Sequence, residues 1–293
     1  MNKHLHRIVF NAARGKGTLE AQRIELASAG DLDNRGGTIR QTSSVGLTVV
    51  AASLSNTAGG VVGAQPIPEM PSQPSPGTGT GTGGTSTGGS AEPGTPSTGD
   101  GGGTTPSQPY VPPAPGSVSA AGAILNDGGR IYAGGPIALQ TPHINNSGGA
   151  LTTTSLAASG PSFSNLGGTV NVSQGFSANV ERFDNTGGTL NAGSIQIAAT
   201  GDLLNQDGKL TSTSDAGVSI GGRIDNARGT VSAPGALTVI VAGALDNSSA
   251  GKLGGGHVDL VAGSLNNQGG SIVQDGTEAT RIAVAGAVNK RRT

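Results

Sequence analysis

Apolar side chains fall at alternate positions along most of the chain. Ile195, Ile197 and Ala199 enclose Gln196 and Ala198, and Leu237, Val239 and Val241 keep the same spacing, as do Val258, Leu260 and Ala262. Successive side chains of a strand point to opposite faces. Period two with β-branched residues and glycine-rich breaks therefore predicts short strands rather than helices. Between the strands one motif returns: apolar, any, Asn, any, Gly-Gly, any, apolar. It reads Leu32-Asp33-Asn34-Arg35-Gly36-Gly37-Thr38-Ile39, then again from Phe163 to Val170, Phe183 to Leu190 and Leu265 to Ile272. Looser copies centre on Asn56, Asn126, Asn146, Asn205, Asn226 and Asn247. From Asn126 to Asn267 the steps between these asparagines are 20, 19, 20, 20, 21, 21 and 20 residues.

A unit of this length holds three short strands and three bends. Around Asn205 the spacing turns Leu190 and Ala192 inward on one strand, Ile195 to Ala199 on the next, and Leu203 on the third. Such a unit has too few apolar side chains to offset the ordering of its own backbone, so successive units must stack and pair. The predicted fold is all-β: a right-handed parallel β-helix of about ten coils. Two readings of the recurrent Asn stand. It stacks as a buried amide ladder formed by Asn34, Asn56, Asn126, Asn146, Asn165, Asn185, Asn205, Asn226, Asn247 and Asn267, or it is a solvated turn residue. The Gly-Gly pair is expected to supply the positive φ values of a tight bend.

Residues 65–116 are of another kind, with 12 of the 16 prolines and a Gly-Thr repeat from Gly77 to Gly84. That composition predicts a disordered tether. The step from Asn56 to Asn126 is 70; without those 52 residues it is 18, close to one repeat. The segment reads as a loop extruded from one coil or as a linker between two domains. The expected organisation is a basic leader over 1–17, first coils over 18–64, the tether over 65–116, the main array over 117–289 and a basic tail over 290–293.

Composition narrows the function classes. Only 2% of residues are aromatic and 12% charged, which excludes a bulky globular core. A formal net charge of -1 gives no footprint for nucleic acid or anionic lipid. The chain has no Cys, so disulfides and thiolate chemistry are absent. No apolar run is long enough for a membrane-spanning helix.

The opening carries Met1, Asn2 and Lys3, then Arg7, Ile8, Val9, Phe10 and Asn11. It resembles the extended signal peptide region of two-partner (type V) secretion exoproteins. The Asn-Gly-Gly units are similar to the 20-residue repeats of the same proteins, the filamentous haemagglutinin family. The resemblance implies a structural or adhesive shaft of a secreted or surface protein. It further implies an outer-membrane secretion partner and contact with host or neighbouring cells, the rod itself being monomeric. Alternative roles are a glycan- or protein-binding module and the stem of a contact-dependent inhibition toxin. The chain departs from the family in one respect. No apolar stretch of signal-peptide length follows the basic opening before Asn34, and Leu47 and Val49 within the Val45–Ala52 run keep strand register. A truncated or rearranged member, retained in the cell when expressed alone, is expected.

Catalysis finds no support. β-Helix enzymes acting on polysaccharide need clustered carboxylates on one face. Asp33, Asp184, Asp225 and Asp246 recur just before the motif Asn, but Ser55, Leu125, Asn145, Ser164, Leu204 and Asn266 occupy the same place. An outward bend position is expected, where an Asp184 substitution costs under about 0.5 kcal/mol. His4 and His6 lie in the opening, and His143 and His257 have no ligand spacing. Gly254 to Asp259 echoes a calcium-binding nonapeptide without its tandem copies. No enzyme activity, catalytic residue, metal or cofactor is expected.

Overall fold

The computed structural model describes residues 6–10, 17–42, 47–64, 117–133 and 135–289. Every regular element among them is a strand, and the strands pair in parallel in about eleven stacked turns. Each coil contributes to three ladders. Ladder I holds the strand just before the motif Asn, as where Leu54–Ser55 lies between Leu32–Asp33 and Ile124–Leu125. Ladder II holds the strand after the turn, as where Val61–Ala64 lies between Thr38–Gln41 and Arg130–Tyr132. Ladder III completes the coil, with Thr48–Ala51 between Ile24–Ser28 and Ser117–Ala120. In mid-array the strands run on around the corners. Thr169–Asp184, one strand of 16 residues, serves all three ladders.

The alternation seen in sequence is the alternation of burial. Leu190, Ala192, Ile195, Ile197, Ala199 and Leu203 all turn inward and are buried, as the period-two spacing requires. Leu47, Val49 and Ala51 are buried in the same way, and the described part of that run forms the strand Thr48–Ala51. Stacking sets like above like. Ladder III carries Leu139, Ala158, Ala178, Ile197, Val218 and Val239 in one inward column. Where that column narrows to Ala158 and Ala178, three of the chain's four phenylalanines fill the space. Phe163 and Phe183 stack with ring centroids 5.1 Å apart, and Phe176 meets both edge-on. Phe163 and Phe183 are register partners on neighbouring coils, so small and large residues compensate across two coils and keep the interior close-packed.

Two features lie beyond the expectations above. His6–Phe10, read as part of a leader, forms a strand paired with Ile24–Ser28. Its backbone can add to ladder III because an edge strand templates any extended neighbour, whatever its charge. The corners also use buried polar side chains that no alternation signals. Gln41 accepts the Ile24 N–H at 2.8 Å, and Gln274 accepts that of Val258 at 2.8 Å. Thr153 and Ser212 donate to the carbonyls of Gly135 and Gly193 at 2.6 and 2.9 Å. These bonds satisfy backbone groups at corners where the chain leaves one ladder for the next.

The packed phenylalanine layer gives a measurable expectation. Phe183→Ala removes a fully buried ring and lowers stability by about 3–5 kcal/mol, read by chemical denaturation.

Candidate functional site

The ten motif asparagines stand in one column along the array. Asn34 Nδ2 donates to Asn56 Oδ1 at 2.8 Å and Asn56 to Asn126 at 2.7 Å, and every later step lies between 2.6 and 2.7 Å as far as Asn267. The first nine are at most 5% exposed. Each amide does more than meet its neighbour. Asn185 Nδ2 reaches the carbonyl of Lys209 in the next coil at 3.2 Å and that of Gly188 in its own turn at 3.2 Å. Its backbone N–H donates to the Leu204 carbonyl at 2.7 Å. The column is therefore a buried and satisfied polar network, the arrangement in which amide groups are stabilising rather than costly.

The two glycines after each Asn serve different ends, which corrects the expectation that both supply positive φ. The residue two after the Asn is the left-handed one: Gly167 at φ 61° and Gly187 at 62°. Asp207 and Arg228 take the same conformation at 55° and 59°. The Asn56 and Asn247 turns are one residue longer and hold two left-handed residues each, Ala58 with Gly59 and Ser249 with Ala250. The last glycine of the turn lies on the preceding coil. A Cβ on Gly188 would overlap the Asn165 carbonyl oxygen, and one on Gly208 or Gly229 would overlap that of Asn185 or Asn205. The first position tolerates Asp, Arg or Ser at a cost in strain, whereas the last is Gly in every turn because no side-chain atom fits.

The position before each Asn alternates with inward neighbours, as an outward position does, is half-buried except at the buried Asp225, and also works within the turn. Asp184 Oδ1 accepts the Thr186 N–H at 3.0 Å. Asp33, Asn145, Asp225, Asp246 and Asn266 make the same bond two residues on, at 2.9–3.3 Å. An Asp or Asn side chain mimics a backbone turn here. Leu125 and Leu204 leave that bond out, so the turn forms with or without it.

The outer faces carry scattered pairs. Arg228 meets Asp207 at 2.7 Å and Arg223 meets Asp202 at 3.3 Å. The backbone N–H of Arg223 is the main cause holding the Asp202 carboxyl below its usual range, and the Arg228 side chain does the same for Asp207. A depressed carboxylate pKa contributes stability that is present at neutral pH and lost as pH falls through the folded value. The contribution is small, because all four groups are exposed. His143 Nδ1 lies 2.9 Å from Ser162 Oγ on the surface. Among the described residues no three of His, Cys, Asp or Glu come together as a metal site. A concavity of about 690 Å³ runs along ladder III from Ala138 to Ile240, lined by Ala, Ser, Gly, Asn, Gln and Thr with the aliphatic Ile197, Val218 and Ile240 and with Asp215 as its charged residue.

The column and its turns generate two expected outcomes. Asn185→Ala leaves buried partners unpaired and costs about 1–3 kcal/mol in denaturant unfolding. Asp184→Ala loses one turn bond and costs about 0.5–1.5 kcal/mol, above the surface value expected from sequence. For the glycines, Gly187→Ala costs about 1–2 kcal/mol from backbone strain alone. Gly188→Ala is worse by about a further 1–3 kcal/mol, since the coils must part to admit the methyl.

Compared with known proteins, the chain matches the family model described as haemagglutinin repeat at residues 11–60, 114–160, 153–207 and 204–289, well over half its length. No curated protein and no solved structure matches it.

Proposed function

The chain belongs to the haemagglutinin-repeat family, and from that premise we propose that it serves as the shaft of a secreted or cell-surface adhesin-type protein. The observation that carries this reading is the uninterrupted column of Asn34 to Asn267 beside a continuous apolar core. All the constant chemistry of the repeat is spent on holding one coil to the next. The outward positions vary freely, as on a spacer whose surface is not selected for one ligand. At the usual strand separation of about 4.8 Å, eleven coils extend roughly 50 Å, a stiff element suited to holding another part of a protein away from a membrane. On this proposal the family's outer-membrane secretion partner exports the protein that carries the shaft. Host or neighbouring cells are then met by what the shaft displays.

A second reading, in which the array itself adheres to glycan or protein, has the concavity along ladder III in its favour. Its lining has no aromatic ring to stack on a sugar and, among the residues around it, one carboxylate, which weakens that reading.

Binding to intact cells and to a glycan array separates the two. The labelled chain is expected to show no saturable binding to either. Saturable binding lost on placing an arginine at Ser177, in the concavity, would replace the shaft by the adhesive module.

A further inference from the structure

The seam between the coil that ends at Ala64 and the coil that begins at Ser117 is built like every other seam, although 52 residues separate its two sides in the chain. All three ladders cross it: Val49 pairs with Val118, Leu54 with Ile124 and Val62 with Ile131, and all six side chains are buried. Asn56 Nδ2 donates to Asn126 Oδ1 at 2.7 Å, the same distance as Asn165 to Asn185, where the chain runs directly from one coil to the next. It also reaches the Arg130 carbonyl at 3.0 Å. Backbone bonds from Asn56 to Leu125 and from Arg130 to Gly60, at 2.7 and 2.8 Å, close the turn on both sides. A Cβ on Gly129 would overlap the Asn56 carbonyl oxygen, so the two turns are in direct contact.

A short connection elsewhere in the array limits how far a coil can slide; here no such limit exists, yet the register is kept. The register must therefore come from the contacts themselves. We propose that the first face of the main array, formed by Val118, Ile124, Asn126, Gly129 and Ile131, is a self-sufficient docking surface for the block of residues 17–64. On this inference the covalent connection through residues 65–116 is dispensable once the coils have stacked. Three features make the surface selective. The amide of Asn126 offers an acceptor that a coil must meet with a donor at the same place, as Asn56 does. Gly129 admits only a turn carbonyl laid flat against it. The apolar columns meet only if the partner's strands alternate in phase, since a slip of one residue turns every inward side chain outward. The partner this surface fits is a coil of the same repeat, supplied here by the chain's own first block.

The test uses the whole chain with the recognition sequence of a specific protease placed between residues 65 and 116 and cut after folding. The two fragments are expected to leave a size-exclusion column together at micromolar concentration, with the circular dichroism of the uncut chain. Their thermal midpoint should rise with concentration, as it must once unfolding also dissociates two pieces. Fragments that elute apart, or loss of the strand signal on cutting, would overturn the inference. A second variant addresses what holds the seam. In the cut chain Asn56→Ala should weaken association about tenfold or more, while Asn191→Ala, on the outside of a distant coil, should leave it unchanged. Equal dissociation of the Asn56→Ala and parent chains would remove the amide column from the docking surface and refute that part of the proposal.

Discussion

In this chain the bonds that hold a coil come mainly from the coils above and below it. A helix satisfies its backbone internally and a hairpin does so with its own second arm, but a parallel coil has neither recourse. The N–H of Asn165 goes to Asp184, that of Gly167 to Thr186 and that of Thr189 back to Gly168. The one backbone-to-backbone bond within each turn, such as Gly168 to the Asn165 carbonyl, merely closes the bend. The amide column extends this dependence to side chains. A carboxylate in the column would have no donor to pass on, and a serine would be too short to span the strand separation. Asn alone carries donor and acceptor on a stem short enough to stay inside the turn while both reach a neighbouring coil.

That constraint explains the composition. Each coil has room for a single layer, so the core is made of Ile, Val, Leu and Ala in columns, and an aromatic ring fits only where neighbouring positions shrink. Phe163, Phe176 and Phe183 occupy one such place, beside Ala158 and Ala178. The outer faces are bound by no comparable rule. Along the outside of ladder III one column runs through Ala157, Ser177, Gln196, Gly217 and Thr238 with no shared chemistry.

Much of the fold was legible because the repeat reports it several times over. Ten copies of the Asn and the alternation of residues such as Ile195 and Ile197 are enough to give parallel coils, inward columns and the position of the bends. What escaped was whatever depends on atoms of a different coil. Nothing within Asn185 to Leu190 shows that Gly187 is needed for its φ and Gly188 for the room it leaves to Asn165; the pair looks like one signal. A hint existed in the copies where Asp207 and Arg228 replace the first glycine while Gly208 and Gly229 stay. Asp184 is outward, as the sharing of its place with Leu204 suggested, and only coordinates show that it also accepts the Thr186 N–H. Gln41 and Gln274 break the alternation as isolated polar residues, and their backbone partners lie 17 and 16 residues away, nearly a coil distant.

The same logic sets what such an array can change and what it must keep. Stability is close to a sum over neighbouring coils, so lengthening or shortening by whole coils alters the total without disturbing any one seam. A turn can also grow, as those at Asn56 and Asn247 have by one residue, because the extra residue leaves between the Asn and the next strand and both ladders resume in phase. At the corner between ladders II and III the chain departs at Ala64 and returns at Ser117, again without loss of register. Growth inside a strand has no such outlet, since one added residue would invert every side chain beyond it. Variation is thus confined to turns, corners and outer faces, while the amide column and the inward columns stay fixed. A molecule under those rules can readily be remade in length and surface, which suits the proposed role of a shaft.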